Sequence, residues 1–478
     1  MIAKAHIKQR LMSAIFLFFV VACISYCQST PMNNLWDPQI IHTVYGTDKF
    51  YKEKARSGLS IHISPFFQHT ATAKNGEEIK VPAGNRLGAW NMYGIYFGSG
   101  AKPANKQTPV IDGIKTDLQG IDSENKTMNF DFLDDEELFI PDVSATIPLS
   151  GNQLQDAGLF DKVRVKYEKI GLRGQISLDW RNNFGLIVKG GIAHIRNDNI
   201  IFDRTTPIVP PQTDPNMITP ELTAVENTLL TPRTMEDIAE ELDLDLGEFC
   251  HTGLEDTHAQ VYCNIPRKFK DKDGDVVCTV IPHLSVGVWL PTGNKTDPDR
   301  PFSVPSGNDG YFAVTTEASL SFDFPKSVQT SFGTGLLFAQ ERSFVKYRVP
   351  SSENQSGIIP WTTGVTNRPG VTWYGNISFK AVDWIEGLGI YCDFIYTQHH
   401  KDEFTINECD PTRKKAFEDG DGPRILAEQS CWKNQQANIG FDYRINKNLA
   451  FGFGLQCHIS GLRVYRTTTA LGSISFCF

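Results

Sequence analysis

Nowhere among the 478 residues does an apolar run reach the ~18 to 20 residues that a membrane-spanning helix needs, which excludes a helical spanning body. A basic excess is missing too. The 46 Lys and Arg against 55 Asp and Glu leave a net charge of −9, and a phosphate-binding footprint needs the opposite sign, so no nucleic-acid partner is expected. The ten cysteines form no Cys-x-x-Cys pair and no Cys/His spacing of the zinc kind, so no metal and no cofactor is expected. There is no Gly-x-Ser-x-Gly nucleophile elbow. His399, His400 and His458 are the only residues with acids nearby that invite a hydrolytic reading, and a lone strand histidine is more often structural. The chain is therefore not expected to be an enzyme.

What the chain has instead is alternation with period two, the mark of a strand with one apolar face. Ile170, Leu172, Ile176, Leu178 and Trp180 share one face, and Arg173, Gln175, Ser177 and Asp179 the other. Arg181-Asn182-Asn183 turns the chain, and Phe184 to Ile195 runs back as a hairpin. The same grammar recurs at 57–67, 89–97, 259–266, 276–290, 311–324, 328–339, 371–381, 388–397, 437–445 and 449–460. Short turns at 181–183, 325–327, 383–387 and 446–448 alternate with long connections at 196–256, 291–309, 341–370 and 398–435. Thr234 to Leu246 has a capping Thr and helical spacing, which places a short helix in the first long loop. Asp271-Lys272-Asp273-Gly274-Asp275 resembles the opening of a calcium loop, but Pro282 stands where the closing Glu belongs, so a polar hairpin turn is expected.

The N-terminus reads as an export signal over 1–29, with Lys4, Lys8 and Arg10 ahead of a short apolar stretch from Leu11 to Ala22. Val20-Val21-Ala22-Cys23 also looks like a lipoprotein processing box. Residues 30–56 are polar, with no clear period, and read as a periplasmic lead-in or plug. Export permits disulfides, with Cys409–Cys431 the first expectation and Cys250–Cys263 the second.

The last residues, Thr468 to Phe478, put Ala470, Gly472, Ile474, Phe476 and Phe478 on one face and stop on an aromatic. This strand resembles the terminal strand of bacterial outer-membrane β-barrels. The resemblance implies an all-β fold: a transmembrane antiparallel up-and-down barrel over 57–478. Its turns would be short on the periplasmic side and its loops long on the extracellular side. About 13 strands are visible. An even count is needed, so 14 are expected, within a range of 12 to 16, with one strand hidden in 99–161. Outer-membrane lipid would wet the apolar face, and Phe476 and Phe478 would be read by the outer-membrane assembly machinery.

Charges fall on the other face of every strand. Arg173, Asp179, Lys189, Glu317, Asp323, Lys380, Asp393, Asp442, Arg444 and His458 are expected to line the lumen. The implied function is a porin-like channel for passive passage of small solutes across a Gram-negative outer membrane. The alternative is a surface-exposed structural or adhesion barrel without transport.

Overall fold

A computed structural model describes residues 58–88, 162–180, 183–203, 243–324, 328–350, 362–409, 411–419, 421–446 and 448–478, with short stretches elsewhere. The expected signal and the segment 30–56 lie outside the described residues, as does most of the helix expected at Thr234 to Leu246.

Twelve antiparallel strands form one closed ring. In chain order they are β1 (Gly58–Lys74), β2 (Lys162–Asp179), β3 (Phe184–Asp203), β4 (Thr257–Asn264), β5 (Val276–Leu290) and β6 (Ala313–Phe324). The second half comprises β7 (Val328–Ala339), β8 (Thr372–Ile385), β9 (Leu388–His399), β10 (Trp432–Asn446), β11 (Leu449–Leu462) and β12 (Val464–Cys477). Each strand pairs with the next in sequence. The ring closes because β1 pairs with β2 on one edge and β12 on the other, Ser60 standing opposite both Ser177 and Cys477.

The expected count of 14 is therefore corrected to twelve in the ring. β1 is already paired on both edges, which leaves no place for a strand from 99–161. Four described pieces there pair with one another, Ile114–Lys115 with Asp131–Phe132 and Met128–Asn129 with Thr146–Ile147. Of the strand expected at 89–97 only Trp90–Asn91 is described, and it pairs with Leu159–Phe160 outside the ring. Three short strands extend the ring's neighbours, at Lys80–Pro82, Cys250–Leu254 and Arg267–Lys270.

Connections at one end are short: 180–183, 325–327, 386–387 and 447–448. Asn183, at φ 69°, and Gly387, at φ 76°, supply the left-handed backbone that two of these turns require. Asp271 organises the somewhat longer turn before β5. Its carboxylate accepts the N–H groups of Asp273 at 3.0 Å and Asp275 at 2.9 Å, so this acidic run is a hairpin turn. The opposite end carries 75–161, 204–256, 291–312, 340–371 and 400–431, and one tight turn, at Arg463.

The alternation read in the sequence becomes an inside and an outside. On β2, Ile176 is 47% exposed while its neighbour Gln175 is 3% exposed. Ile192, Val261, Leu284, Val286, Phe332, Phe394, Phe441, Phe453 and Leu455 repeat the outward pattern around the ring. On β2 this outer apolar face runs from Leu178 to Ile170 and ends at Glu168, about nine residues, the length a tilted strand needs to cross hydrocarbon. An apolar exterior around a polar interior inverts the soluble arrangement.

Inside, three tyrosines lie across glycines of the paired strand: Tyr262 over Gly185, Tyr374 over Gly335 and Tyr391 over Gly440. A Cβ at any of these glycines would overlap the ring. The aromatic ring thus fills the space the glycine leaves, and the pair fixes local register.

Candidate functional site: the barrel interior

The interior changes along the barrel axis. Near the short-turn end, the inward residues Ser321, Asp323, Ser331, Lys380, Asp442 and Arg444 remain partly exposed, so water reaches them. Lys380 pairs with Asp442 at 3.2 Å. Farther in, the wall is buried and mostly neutral and polar. His62 meets Ser475 at 2.8 Å, His258 meets Thr315 at 3.1 Å, and His458 meets Asn434 at 3.0 Å. At the long-loop end the described residues include a buried apolar cluster. It includes Trp90, Tyr167, Ile195, Phe302 and Tyr465, with Trp90 stacked on Phe302 at 4.9 Å between ring centroids.

Between the polar wall and the apolar mouth sits a charged group that the sequence did not reveal. Cys250–Leu254 and β4 pair with the same edge of β3, Leu254 opposite Ile192 and His258 opposite Lys189. They form one line interrupted at Glu255 and Asp256. This bulge turns two consecutive side chains inward, where strict alternation allows one. Leu254 is exposed on the outer face, while Glu255 and Asp256 are buried.

Glu255 meets two cations of β2. Arg173 grips its carboxylate with both Nε and Nη2 at 2.7 Å, and Lys169 Nζ lies 2.7 Å away. Both cations also lie over the Phe66 ring, at 4.1 Å for Arg173 and 5.8 Å for Lys169. Asp256 accepts the backbone N–H of Gly293 at 2.7 Å and that of Asn308, which ties the 291–312 loop to the bulge. A cavity of about 10 Å³, room for about one water, adjoins this group and is lined by His62, Gln175, Lys189 and Glu255.

The expected site residues fall as follows. Arg173, Lys189 and His458 are buried. Asp179 accepts a hydrogen bond from the Tyr262 hydroxyl, and Asp393 one from Ser378. Glu317 lies 3.5 Å from both Gln260 and Tyr374. Asp323, Lys380, Asp442 and Arg444 belong to the partly exposed zone. Lys169, Glu255 and Asp256 were missed. For Glu255 and Asp256 the only hint was that their loop is long, and long loops often carry function; Lys169 shares the alternating inward face of Arg173 and Gln175 on β2.

The expected disulfides are not formed: Cys250, Cys263, Cys409 and Cys431 are free thiols. Cys250 stands opposite Arg196 and Cys263 opposite Phe184 on the same edge of β3. At about 3.3 Å per residue they are far beyond the reach of an S–S bond. Phe476 stands opposite Ile61, and Phe478 is exposed with its N–H bonded to Leu59.

His399 donates or accepts at both ring nitrogens, 2.8 Å from Thr372 Oγ1 and 2.8 Å from Asp402 Oδ1. A hydroxyl, an imidazole and a carboxylate in a row have the composition of an acyl-transfer triad. Here the Thr372 side chain is fully buried, so no scissile carbonyl reaches it, and the row works as a strut between β8, β9 and the loop.

The long loops are tied together by Arg348. Its guanidinium donates to the carbonyls of Asp243 at 3.0 Å, Pro298 at 2.9 Å and Ile359 at 3.0 Å, and to Asp299 Oδ1 at 2.8 Å. Lys346 joins Asp299 as well. Burial works against the Asp299 charge, but Lys346 and Arg348 outweigh it and hold its carboxyl below the usual value. A carboxyl lowered in the folded state stabilises fully above its unfolded value and loses that contribution as pH falls through the folded one. Acidification below about pH 4 should therefore loosen the loop cap, read as faster protease nicking within 291–350. Asp299→Asn should be nicked readily at neutral pH and show a much flatter response to acid. An unchanged acid response in that variant would exclude Asp299 as the titrating group.

A ring without edges, oily outside and polar within, decides the class of fold. The chain is a closed β-barrel of the outer-membrane kind. No family model matches it, and neither does any curated protein. Among solved structures it is similar to an outer membrane channel from Pseudomonas putida F1, at 8% identity over 90% of this chain and 98% of that one, with a TM-score of 0.41. It is also similar to the CymD monoaromatic hydrocarbon channel, at 7% identity over 88% of each chain and a TM-score of 0.29. The transport unit of the autotransporter AIDA-I from Escherichia coli is a third, at 7% identity over 94% of this chain and all of that one, with a TM-score of 0.32. Among the described residues no helix is long and apolar enough to cross a membrane, which says nothing against crossing by strands.

Proposed function

We propose that the chain is an outer-membrane channel through which small solutes pass passively, with the lumen closed at the long-loop end in the state described. The observation that carries this reading is the water-reached polar zone around Lys380 and Asp442, which leads inward to a wall of hydrogen-bonding side chains. A barrel built only as an anchor has no need of a wetted, charged interior. In this reading residues 1–29 are a removed signal, the short-turn end faces the periplasm, and Phe476 and Phe478 serve assembly. The expected lumen residues, from Arg173 to His458, line the route.

Reconstitution into planar bilayers and solute-swelling of loaded liposomes test it. Conductance above the bare bilayer, with swelling in small solutes, is expected. Correctly folded protein that neither conducts nor admits any solute would exclude it.

The buried apolar cluster at the long-loop end favours a second reading, a barrel that displays its loops. A three-stranded sheet (Arg342–Arg348, Thr362–Arg368 and Glu403–Ile406) packs with the helices α1 (Pro411–Asp419) and α2 (Gly422–Ser430) around Val349, Val365, Phe417 and Leu426. Such a cap is a built surface. The absence of conductance, with partner binding lost on removing the cap, would point there.

A further inference from the structure

Glu255 differs from its two cationic partners in how it is held. Lys169 and Arg173 belong to the barrel wall, and Phe66 lies beneath both. Their positions are set by β2 and by that ring. Glu255 arrives from a bulge at the end of an inserted segment and is presented to them from the side. The grip on it is the planar, two-pronged one that guanidinium offers to any carboxylate, with an ammonium adding a third contact. The adjoining cavity, lined by His62, Gln175 and Lys189, has room for about one water beside this group.

We infer that Arg173 and Lys169 form a carboxylate-recognition site in the passage, and that Glu255 is a tethered stand-in for the carboxylate of the solute. This rests on the channel reading above and names its substrate class: small organic acids. An incoming carboxylate takes the place of Glu255 on the two cations. No bond is made or broken; one ion pair replaces another of the same geometry. Exchange of like for like keeps the two buried cations paired throughout, so neither is stranded while a solute is bound.

The test compares propionate with propionamide, equal in shape and different in charge. In liposomes carrying the wild-type barrel, propionate should enter about tenfold faster than propionamide, the difference a charge-assisted pair of hydrogen bonds supplies. Its uptake should saturate. Arg173→Gln should bring the two rates together, and Arg173→Lys should restore part of the preference. Glu255→Gln, which weakens the internal competitor, should lower the propionate concentration for half-maximal uptake. Equal rates in the wild type, or an unchanged preference in Arg173→Gln, would overturn the assignment and leave a non-selective channel standing.

A second measurement separates the two readings. In detergent, propionate but not propionamide should raise the melting temperature of Glu255→Gln. A melting shift without any flux keeps the site and removes the channel, whereas flux without a shift removes the site.

Discussion

Replacing Glu255 with leucine lowers stability by about 3–5 kcal/mol, the usual result of taking one partner from a buried ion pair. Lys169 and Arg173 are nearly as buried as the carboxylate they share, with side chains 5% and 6% exposed. Leucine offers neither an acceptor nor a charge, so both cations lose a short bond in a place water barely reaches. The bulge itself would persist for a while, because Glu255 N–H bonds Gly191 through the backbone, and Asp256 still holds Gly293. Arg173→Met should be milder, because it leaves Lys169 and Glu255 as a matched pair at 2.7 Å. Denaturant midpoints of refolded protein in micelles measure both. If Glu255→Leu proved as stable as the wild type, the charged group would contribute nothing to stability.

The second large effect belongs to the outer wall. Ile176→Arg is expected to lower stability by about 2–4 kcal/mol, the penalty for a cation at mid-membrane on a lipid-facing strand. Val345→Arg is its control. Val345 is 97% exposed on the loop-end sheet, away from the ring, and the same substitution there should change stability by less than about 0.5 kcal/mol. In water alone the two positions would respond alike, as both are exposed apolar residues. Refolding yield and heat-dependent gel mobility in lipid vesicles distinguish them. Equal behaviour at the two positions would mean that hydrocarbon does not wet the β2 face.

Much of the barrel was legible because a strand states its two faces in every second residue. Ile170, Leu172 and Ile176 went outside together, with Arg173, Gln175 and Ser177 inside. Turn chemistry was legible for the same local reason, since Asn183 and Gly387 advertise the backbone they adopt. Strand number was not. It depends on which strand β1 chooses as its neighbour, and the choice of β2 spans residues 75–161, a pairing no local pattern encodes. The charged lock was hidden by the device that makes it. A bulge places Glu255 and Asp256 on the same side, so reading by alternation assigns one of them to the wrong face. The pairing of cysteines was not legible, because nearness in sequence is not nearness in space: Cys250 and Cys263 sit far apart along one strand edge.

The seam between the first and last strands has a consequence for biogenesis. Ser60 through Ile63 of β1 stand opposite Ile474 through Cys477 of β12. Until those residues are delivered, β1 and β11 each present an unsatisfied row of amides and carbonyls, the kind of margin that recruits stray chains. Completion is therefore all-or-none. A product shortened by its last strand would not be a smaller pore but an open curl, for a quality-control protease to clear.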